Sequence, residues 1–188
     1  MQGLKKMNDV KTPNIEVECK VCDYFSINTL TVLPHTHENW LTFFGNETNP
    51  TESLSVLFKN AENDAHKSNE KRQFVELVIN IDPSVANDWE FYGNGVEYCG
   101  ADSNCQYNIS TEIRDNDTLV LRITQVEPTY EFNGVDKDNL DQVIVVTENK
   151  EAGYLSISFR YTAKHLPSNK IYMSQDPRII VRRPGNTF

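Results

Sequence analysis

Short segments in which apolar and polar residues alternate, each ended by turn residues, constrain the fold of this chain most strongly. In the segment Tyr154–Thr162, the apolar side chains Leu155, Ile157 and Phe159 occupy every second position. This period-two pattern is typical of a β-strand with one buried and one solvated face. Such segments recur along the chain, with Gly, Asn, Asp or Pro between them. We therefore predict a mostly β protein, an antiparallel β-sandwich of immunoglobulin-like or jelly-roll-like type.

The predicted strands cover most of the chain. They are expected over residues 15–22, 29–33, 39–44, 74–81, 89–92, 96–99, 106–113, 118–126, 130–132, 142–147, 154–162, 170–173 and 179–182. Turns are expected between them, among others at Gly93-Asn94-Gly95 and at residues 100–104. Residues 15–188 are predicted to form a single domain, because no linker or internal repeat interrupts them.

One segment has the spacing of a helix. After the start signal Asn49-Pro50-Thr51-Glu52, the apolar residues lie on one helical face: Leu54, Leu57, Phe58, Ala61 and Ala65. We predict one short amphipathic helix here, lying on a sheet. The alternative is a strand over residues 53–58, followed by a polar loop.

The N-terminal sequence and the net charge indicate where the protein is located and which partners it can bind. Residues 1–14 are polar and are predicted to be a mobile lead-in without the apolar core of a secretory signal. No stretch is apolar enough to span a membrane, so a cytoplasmic protein is expected. The net charge of −9 disfavours nucleic-acid partners, because such a surface repels phosphates.

The C-terminal segment 160–188 is basic, in contrast to the rest of the chain. Its only acidic residue is Asp176, and its basic residues are Arg160, Lys164, Lys170, Arg178, Arg182 and Arg183. These residues form either a patch for an anionic partner or strands that face acidic neighbours across the sheet, and the second interpretation is favoured.

Cysteine and histidine residues suggest a zinc site. Cys19 and Cys22 have the spacing of a zinc-binding pair, and His35 and His37 follow at a distance compatible with two further ligands. Glu38, His66 and His165 are additional candidate ligands. However, Cys19 and Cys22 lie on opposite faces of a predicted strand, which disfavours chelation of one ion.

Two alternatives to zinc follow from the same cysteines. Cys19 can be a small core residue with a free thiol. Cys99 and Cys105 flank a predicted turn and can form a hairpin disulfide, which would require an oxidising compartment.

Acidic turns offer a second type of metal site. Asp115 and Asp117 lie in one predicted turn, and Asp136, Asp138 and Asp141 lie in another. Calcium binds such carboxylates when several loops bring them together. Ordinary turn formation by Asp and Asn is the favoured explanation of these residues.

Aromatic residues suggest a saccharide site. The candidates are Trp40, Trp89, Phe91, Tyr92, Tyr98 and Tyr107. Aromatic rings can stack on a pyranose face while Asp and Asn bind hydroxyl groups, so Trp89, Tyr92 and Asn94 are predicted ligand-binding residues, together with Asp115 and Asp117. The alternative is that the aromatic residues fill the core.

Three dipeptides end predicted strands: Asp82-Pro83, Glu127-Pro128 and Asp176-Pro177. Together with the Asn- and Asp-rich composition, this punctuation resembles the DP-EP family of small uncharacterised bacterial β-sandwich proteins, over roughly residues 74–188. The resemblance implies a sandwich fold and a bacterial origin, and it implies no reaction and no binding residues.

No sequence signature of an enzyme is present, neither a nucleophile elbow nor a zinc-protease or nucleotide-binding motif. We therefore predict a non-enzymatic binding or protein-interaction module that requires no cofactor. Its expected partners are a small saccharide, another protein or a second copy of itself. A zinc-binding protein is the alternative.

Overall fold

Thirteen β-strands and one short helix make up the part of the chain that the structure describes. The structure, a computed structural model, describes residues 15–61, 64–128, 130–133, 145–148, 153–175 and 177–184. The strands are β1 (Ile15–Cys19), β2 (Phe25–Leu33), β3 (Leu41–Phe44), β4 (Ser53–Phe58), β5 (Phe74–Ile81), β6 (Trp89–Ser103), β7 (Cys105–Asp115), β8 (Thr118–Pro128), β9 (Tyr130–Asn133), β10 (Val145–Glu148), β11 (Gly153–His165), β12 (Lys170–Met173) and β13 (Arg178–Arg183). The protein is therefore mostly β, as predicted.

The strands form two large sheets and one small ribbon. Sheet I has the order β1-β4-β13-β11-β12, and β6 also pairs with β11. Sheet II has the order β3-β2-β5-β8-β7, while β9 and β10 pair only with each other among the described strands. The chain passes repeatedly from one sheet to the other, in the arrangement of a sandwich.

Both sheets are mixed, whereas the sequence predicted an antiparallel sandwich. The pairs β1–β4, β4–β13 and β2–β5 are parallel. Parallel pairing follows from the path of the chain, because β2 and β3 of sheet II intervene between β1 and β4 of sheet I. A strand that returns after such a crossover can run in the same direction as its neighbour, which a two-residue hairpin does not permit.

The apolar residues that alternate along the strands meet between the two sheets. The fully buried side chains come from both sheets and include Val56, Phe58, Leu155 and Val181 of sheet I and Val75, Ile79, Leu119 and Ile123 of sheet II. One continuous core results, since each sheet buries the apolar face that the alternation predicts.

The predicted helix over residues 54–65 is wrong. Ser53–Phe58 is the strand β4, which lies between β1 and β13 in sheet I. Leu54, Val56 and Phe58 are buried at every second position, so the alternation outweighs the helical spacing. The only helix in the described ranges is the four-residue α1 (Lys67–Glu70), which follows a 3-10 turn and is far too short to cross a membrane.

The turn predicted at Gly93-Asn94-Gly95 is instead a large bulge within β6. Tyr161 pairs with Val96 and Ala163 pairs with Phe91, so one residue of β11 faces four residues of β6. Gly93 and Gly95 have φ angles of +65° and +75°, which favour glycine. The bulge keeps both Phe91 and Val96 on the buried face, although they are five positions apart.

The basic C-terminal residues in part face acidic neighbours across sheet I. Lys164 lies opposite Glu90, and their Nζ and Oε1 atoms are 3.9 Å apart. Arg160 lies opposite Glu97 in the same pair of strands. This pairing agrees with the cross-strand interpretation of the basic segment.

Arg183 is a buried cation at the end of the sandwich. Its Nε donates a hydrogen bond to the Val126 carbonyl at 2.6 Å, and its Nη2 donates to Oε1 of Gln73 at 2.8 Å. The Gln73 amide in turn donates to the carbonyls of Cys19 and Lys59. This network connects strand ends of both sheets and satisfies polar groups that would otherwise be buried without partners.

We expect Gly95→Ala to destabilise the protein by about 1–3 kcal/mol. The φ angle of Gly95 is positive, and an added Cβ would lie 2.5 Å from Cδ1 of Leu119. Gly100→Ala in the same strand is the matched control, because its Cβ would meet nothing within 4 Å. Urea denaturation measures both variants, and equal stabilities would contradict the bulge.

We expect Arg183→Ala to lower the free energy of unfolding by about 3 kcal/mol, because it leaves buried acceptors of Gln73 and Val126 without donors. Arg182→Ala removes the exposed neighbouring arginine and should change stability by less than about 0.5 kcal/mol. Similar thermal denaturation of the two variants would show that the network does not stabilise the fold.

Candidate ligand-binding cleft

A cleft of about 490 Å³ lies between β6 and β7. It is lined by Tyr98, Cys99, Gly100, Ala101, Tyr107, Asn108, Ile109 and Ile157. The two strands are consecutive in the chain, but β6 pairs with β11 of sheet I and β7 pairs with β8 of sheet II. The cleft therefore opens where one hairpin divides between the two sheets.

The connection between the two strands is fixed to β11. Asn104, the only residue between β6 and β7, accepts a hydrogen bond from the Tyr154 amide on its Oδ1 atom at 2.7 Å. Its own amide donates to the Tyr154 carbonyl at 3.1 Å. This backbone-like pairing holds the closed end of the cleft against sheet I.

A second bulge in β6 directs residues into the cleft. Phe159 pairs with Tyr98 and Ser158 pairs with Gly100, so Cys99 is the additional residue. Such a bulge bends a strand and redirects its side chains. The small residues Gly100 and Ala101 follow it and leave space, since nothing lies within 4 Å of a Cβ added at Gly100.

Two tyrosine rings give the cleft its chemical character. The side chains of Tyr98 and Tyr107 are 45% and 40% exposed, respectively. Partial burial raises the pKa of the Tyr98 hydroxyl group further above neutral pH. Like any protonated tyrosine, it can donate a hydrogen bond. Ile109 adds partly exposed apolar surface beside the buried Ile157, and Asn108 adds an amide. The cleft thus combines aromatic, apolar and neutral polar groups.

The structure divides the six candidate aromatic residues into two groups. Trp40, Trp89 and Phe91 are buried, as the core interpretation of the sequence predicts, and Tyr92, Tyr98 and Tyr107 are exposed. Trp89 packs in an aromatic cluster, with ring centroids 5.6 Å from Trp40, 5.4 Å from Tyr172 and 4.8 Å from His165. Trp89 therefore contributes to the core and does not line the cleft.

The other residues of the predicted ligand set lie together outside the cleft. Tyr92 and Asn94 are exposed in the large bulge, and Asp115 and Asp117 flank the turn between β7 and β8. The amide of Phe91 donates a hydrogen bond to the carbonyl of the residue between these two aspartates at 2.7 Å. The bulge and the turn are thus neighbours, and ligand binding by these four residues stays a prediction.

The predicted zinc ligands have different environments. Cys19 is fully buried in β1, where its Sγ donates to the Phe74 carbonyl, and burial raises its pKa to about 11. Cys22 is exposed, and His35 and His37 lie in the loop after β2. Across the described ranges, no three or more His, Cys, Asp or Glu side chains form a group that could hold a metal ion. Residues 136–141, the second acidic turn, lie outside the described residues.

The predicted alternative of a hairpin disulfide is not formed. Cys99 is exposed, whereas Cys105 is buried and its Sγ donates to the Tyr154 carbonyl at 3.5 Å. All four cysteines are thiols in the structure. The alternative in which Cys19 is a core residue agrees with its burial.

Sequence reasoning named Tyr98 and Tyr107 only as available aromatic residues and missed the remainder of the cleft. One signal was present in the sequence: residues 97–103 lack the alternation of a half-buried strand. In the structure, all seven of these residues are exposed. The sequence instead predicted a strand over residues 96–99 and a turn over residues 100–104, and this turn is wrong because β6 continues to Ser103.

Comparisons with known proteins give little further information. No family model matches the chain, and no curated protein matches it either. Among solved structures, the inclusion body protein PixA from Burkholderia cenocepacia J2315 is similar over 96% of this chain and 100% of its own, with 8% identity and a TM-score of 0.34. A similarity at this level supports no inference about function, and the resemblance to the DP-EP family stays a prediction.

We expect iodoacetamide at pH 8 to modify Cys22 and Cys99 in the native protein and to spare Cys19 and Cys105. The first two thiols are exposed, whereas the other two are buried, and the high pKa of Cys19 keeps it protonated. Intact-mass spectrometry should therefore count two adducts before denaturation and four after it. Protection of Cys22 in the native protein would instead support a zinc or disulfide role for this residue.

Proposed function

We propose that this protein is a non-enzymatic binding module whose cleft between β6 and β7 binds a small saccharide. The observation that carries the proposal is the pair of half-exposed tyrosine rings, Tyr98 and Tyr107, in one cleft with apolar surface and an amide. Its volume of about 490 Å³ lies within the range of about 300–1,000 Å³ that is usual for small-molecule sites.

The chemistry of a sugar matches that of the cleft. A pyranose ring presents an apolar face of C–H groups, which can stack on an aromatic ring, and a periphery of hydroxyl groups. The Asn108 amide and the tyrosine hydroxyls can donate and accept hydrogen bonds at that periphery. The space beside Gly100 admits a ring close to the backbone of β6.

The residues that line the cleft favour binding over catalysis. They include no carboxylate, histidine or lysine that could serve as a general acid or base. Cys99 is a nucleophile by type, but none of the other lining residues could activate it. A neutral site of this kind can hold an uncharged ligand without changing it.

We expect Tyr98→Ala and Tyr107→Ala each to weaken saccharide binding about tenfold, equivalent to ~1.4 kcal/mol. The probes are glucose, galactose and N-acetylglucosamine with their β-linked disaccharides, and titration calorimetry measures the dissociation constants. Tyr154→Ala is the matched control, because Tyr154 is an exposed tyrosine of β11 that does not line the cleft.

Alkylation of Cys99 gives an independent measurement of the same binding. A saccharide in the cleft should slow the reaction of Cys99 with iodoacetamide, while the exposed Cys22 serves as an internal reference. If no probe binds, or if Tyr154→Ala weakens binding as much as Tyr98→Ala, the saccharide proposal is wrong. Binding that protects Cys22 and Cys99 equally would also contradict it.

A further inference from the structure

One wall of the cleft is an open edge of sheet I. Strand β6 pairs with β11 on one side, and it pairs with no other strand among the described residues. Residues 100–103 of β6 are in regular register with residues 155–158 of β11. An outer strand presents unpaired backbone N–H and C=O groups on its free side. The free side of β6 is the side of the cleft, because β11 lies on its other side and β7 lies across the cleft.

Gly100 and Ala101 bring such backbone groups into the cleft. In an antiparallel pair, the N–H and C=O groups of one residue point to the partner strand, and those of the next residue point away from it. One of these two residues therefore directs both its N–H and its C=O group away from β11. Both residues are exposed and line the cleft, so a ligand in the cleft can reach this donor and this acceptor.

The surroundings of this edge are small, neutral and partly apolar. A Cβ added at Gly100 would meet nothing within 4 Å, so a ligand can approach the backbone closely. Ile109 contributes partly exposed apolar surface. No charged side chain is among the described residues that line the cleft. The edge therefore suits an uncharged ligand group that has one donor, one acceptor and a small apolar part.

We propose that the saccharide of this cleft is an N-acetylhexosamine whose acetamido group pairs with the backbone edge of β6 at Gly100 and Ala101. The inference rests on the proposed function, because it names the sugar that the same cleft would take. An acetamido group has one N–H donor and one C=O acceptor, as a peptide group has. It can therefore pair with a strand edge as an added strand does, while its methyl group would meet Ile109.

Other substituents at the same carbon of the sugar suit the edge less well. The hydroxyl group of glucose carries its donor and its acceptor on one atom, so it cannot meet an N–H and a C=O group of the strand as an amide does. The protonated amine of glucosamine has donors only, and it would lose hydration in a cleft whose described lining offers no carboxylate.

The test compares four sugars by titration calorimetry with the full chain. They are N-acetylglucosamine, glucose, glucosamine and N-acetyl-N-methylglucosamine, in which a methyl group replaces the amide hydrogen. We expect N-acetylglucosamine to bind at least tenfold more tightly than each of the other three, because it alone supplies both hydrogen bonds of the pair.

Two variants of β6 locate the pairing. Gly100→Val fills the space beside the edge with a side chain that suits a strand, and it should bring binding of N-acetylglucosamine to within twofold of that of glucose. Asp102→Val is the matched control, because Asp102 is an exposed residue of the same strand that does not line the cleft, and it should keep the preference. Circular dichroism checks that both variants remain folded.

The outcomes separate this inference from the proposed function. Equal binding of glucose and N-acetylglucosamine, with both weakened in Tyr98→Ala, would overturn the acetamido pairing and leave saccharide binding in place. Equal binding of N-acetylglucosamine and its N-methyl analogue would also overturn the pairing, because the preference would then come from the acetyl group alone. The same holds if Gly100→Val keeps the preference. If no saccharide binds, the proposed function fails and this inference fails with it.

Discussion

The hydrogen-bond network of Arg183 connects the two sheets at one end of the sandwich, where the apolar core ends. Its guanidinium group lies at the end of β13 and reaches the last residues of β8, while Gln73 carries the network to β1 and β4. Buried backbone carbonyl groups near strand ends need hydrogen-bond donors when no neighbouring strand supplies them. Here the Arg183 guanidinium and the Gln73 amide are the donors. Among the described residues, no buried side-chain nitrogen or oxygen atom lacks a hydrogen-bond partner.

The cleft is a consequence of how its two strands pair with the sheets. Because β6 and β7 belong to different sheets, their side chains diverge and the cleft opens between them. The partner of β6 is β11, which follows only after β7, β8, β9 and β10 in the chain. The cleft therefore depends on a long-range pairing, which no local pattern encodes.

The sequence was most informative where alternation alone determines a strand. The bounds of β5 (Phe74–Ile81) and β12 (Lys170–Met173) were predicted correctly. The helix over residues 54–65 was wrong because Leu54 and Phe58 satisfy both periods, and only the neighbouring strands decide between them. The turn expected at Gly93–Gly95 was wrong because the same glycines suit a bulge, whose existence depends on the partner strand β11. The cleft could not be predicted for a similar reason. Nothing in the local sequence around Tyr98 shows that β6 pairs in sheet I while the next strand, β7, pairs in sheet II.

The large bulge also sets the phase of β6. Trp89 and Phe91 face the core before it, and Val96 and Tyr98 share the corresponding face after it. Phe91 and Val96 are an odd number of positions apart, so a regular strand would point them to opposite faces, and the four unpaired residues of the bulge absorb this difference. Without the bulge, β6 could keep the present direction of either Trp89 and Phe91 or Val96 and Tyr98, but not of both pairs. The bulge thus allows one strand to serve the aromatic core at one end and the candidate cleft at the other.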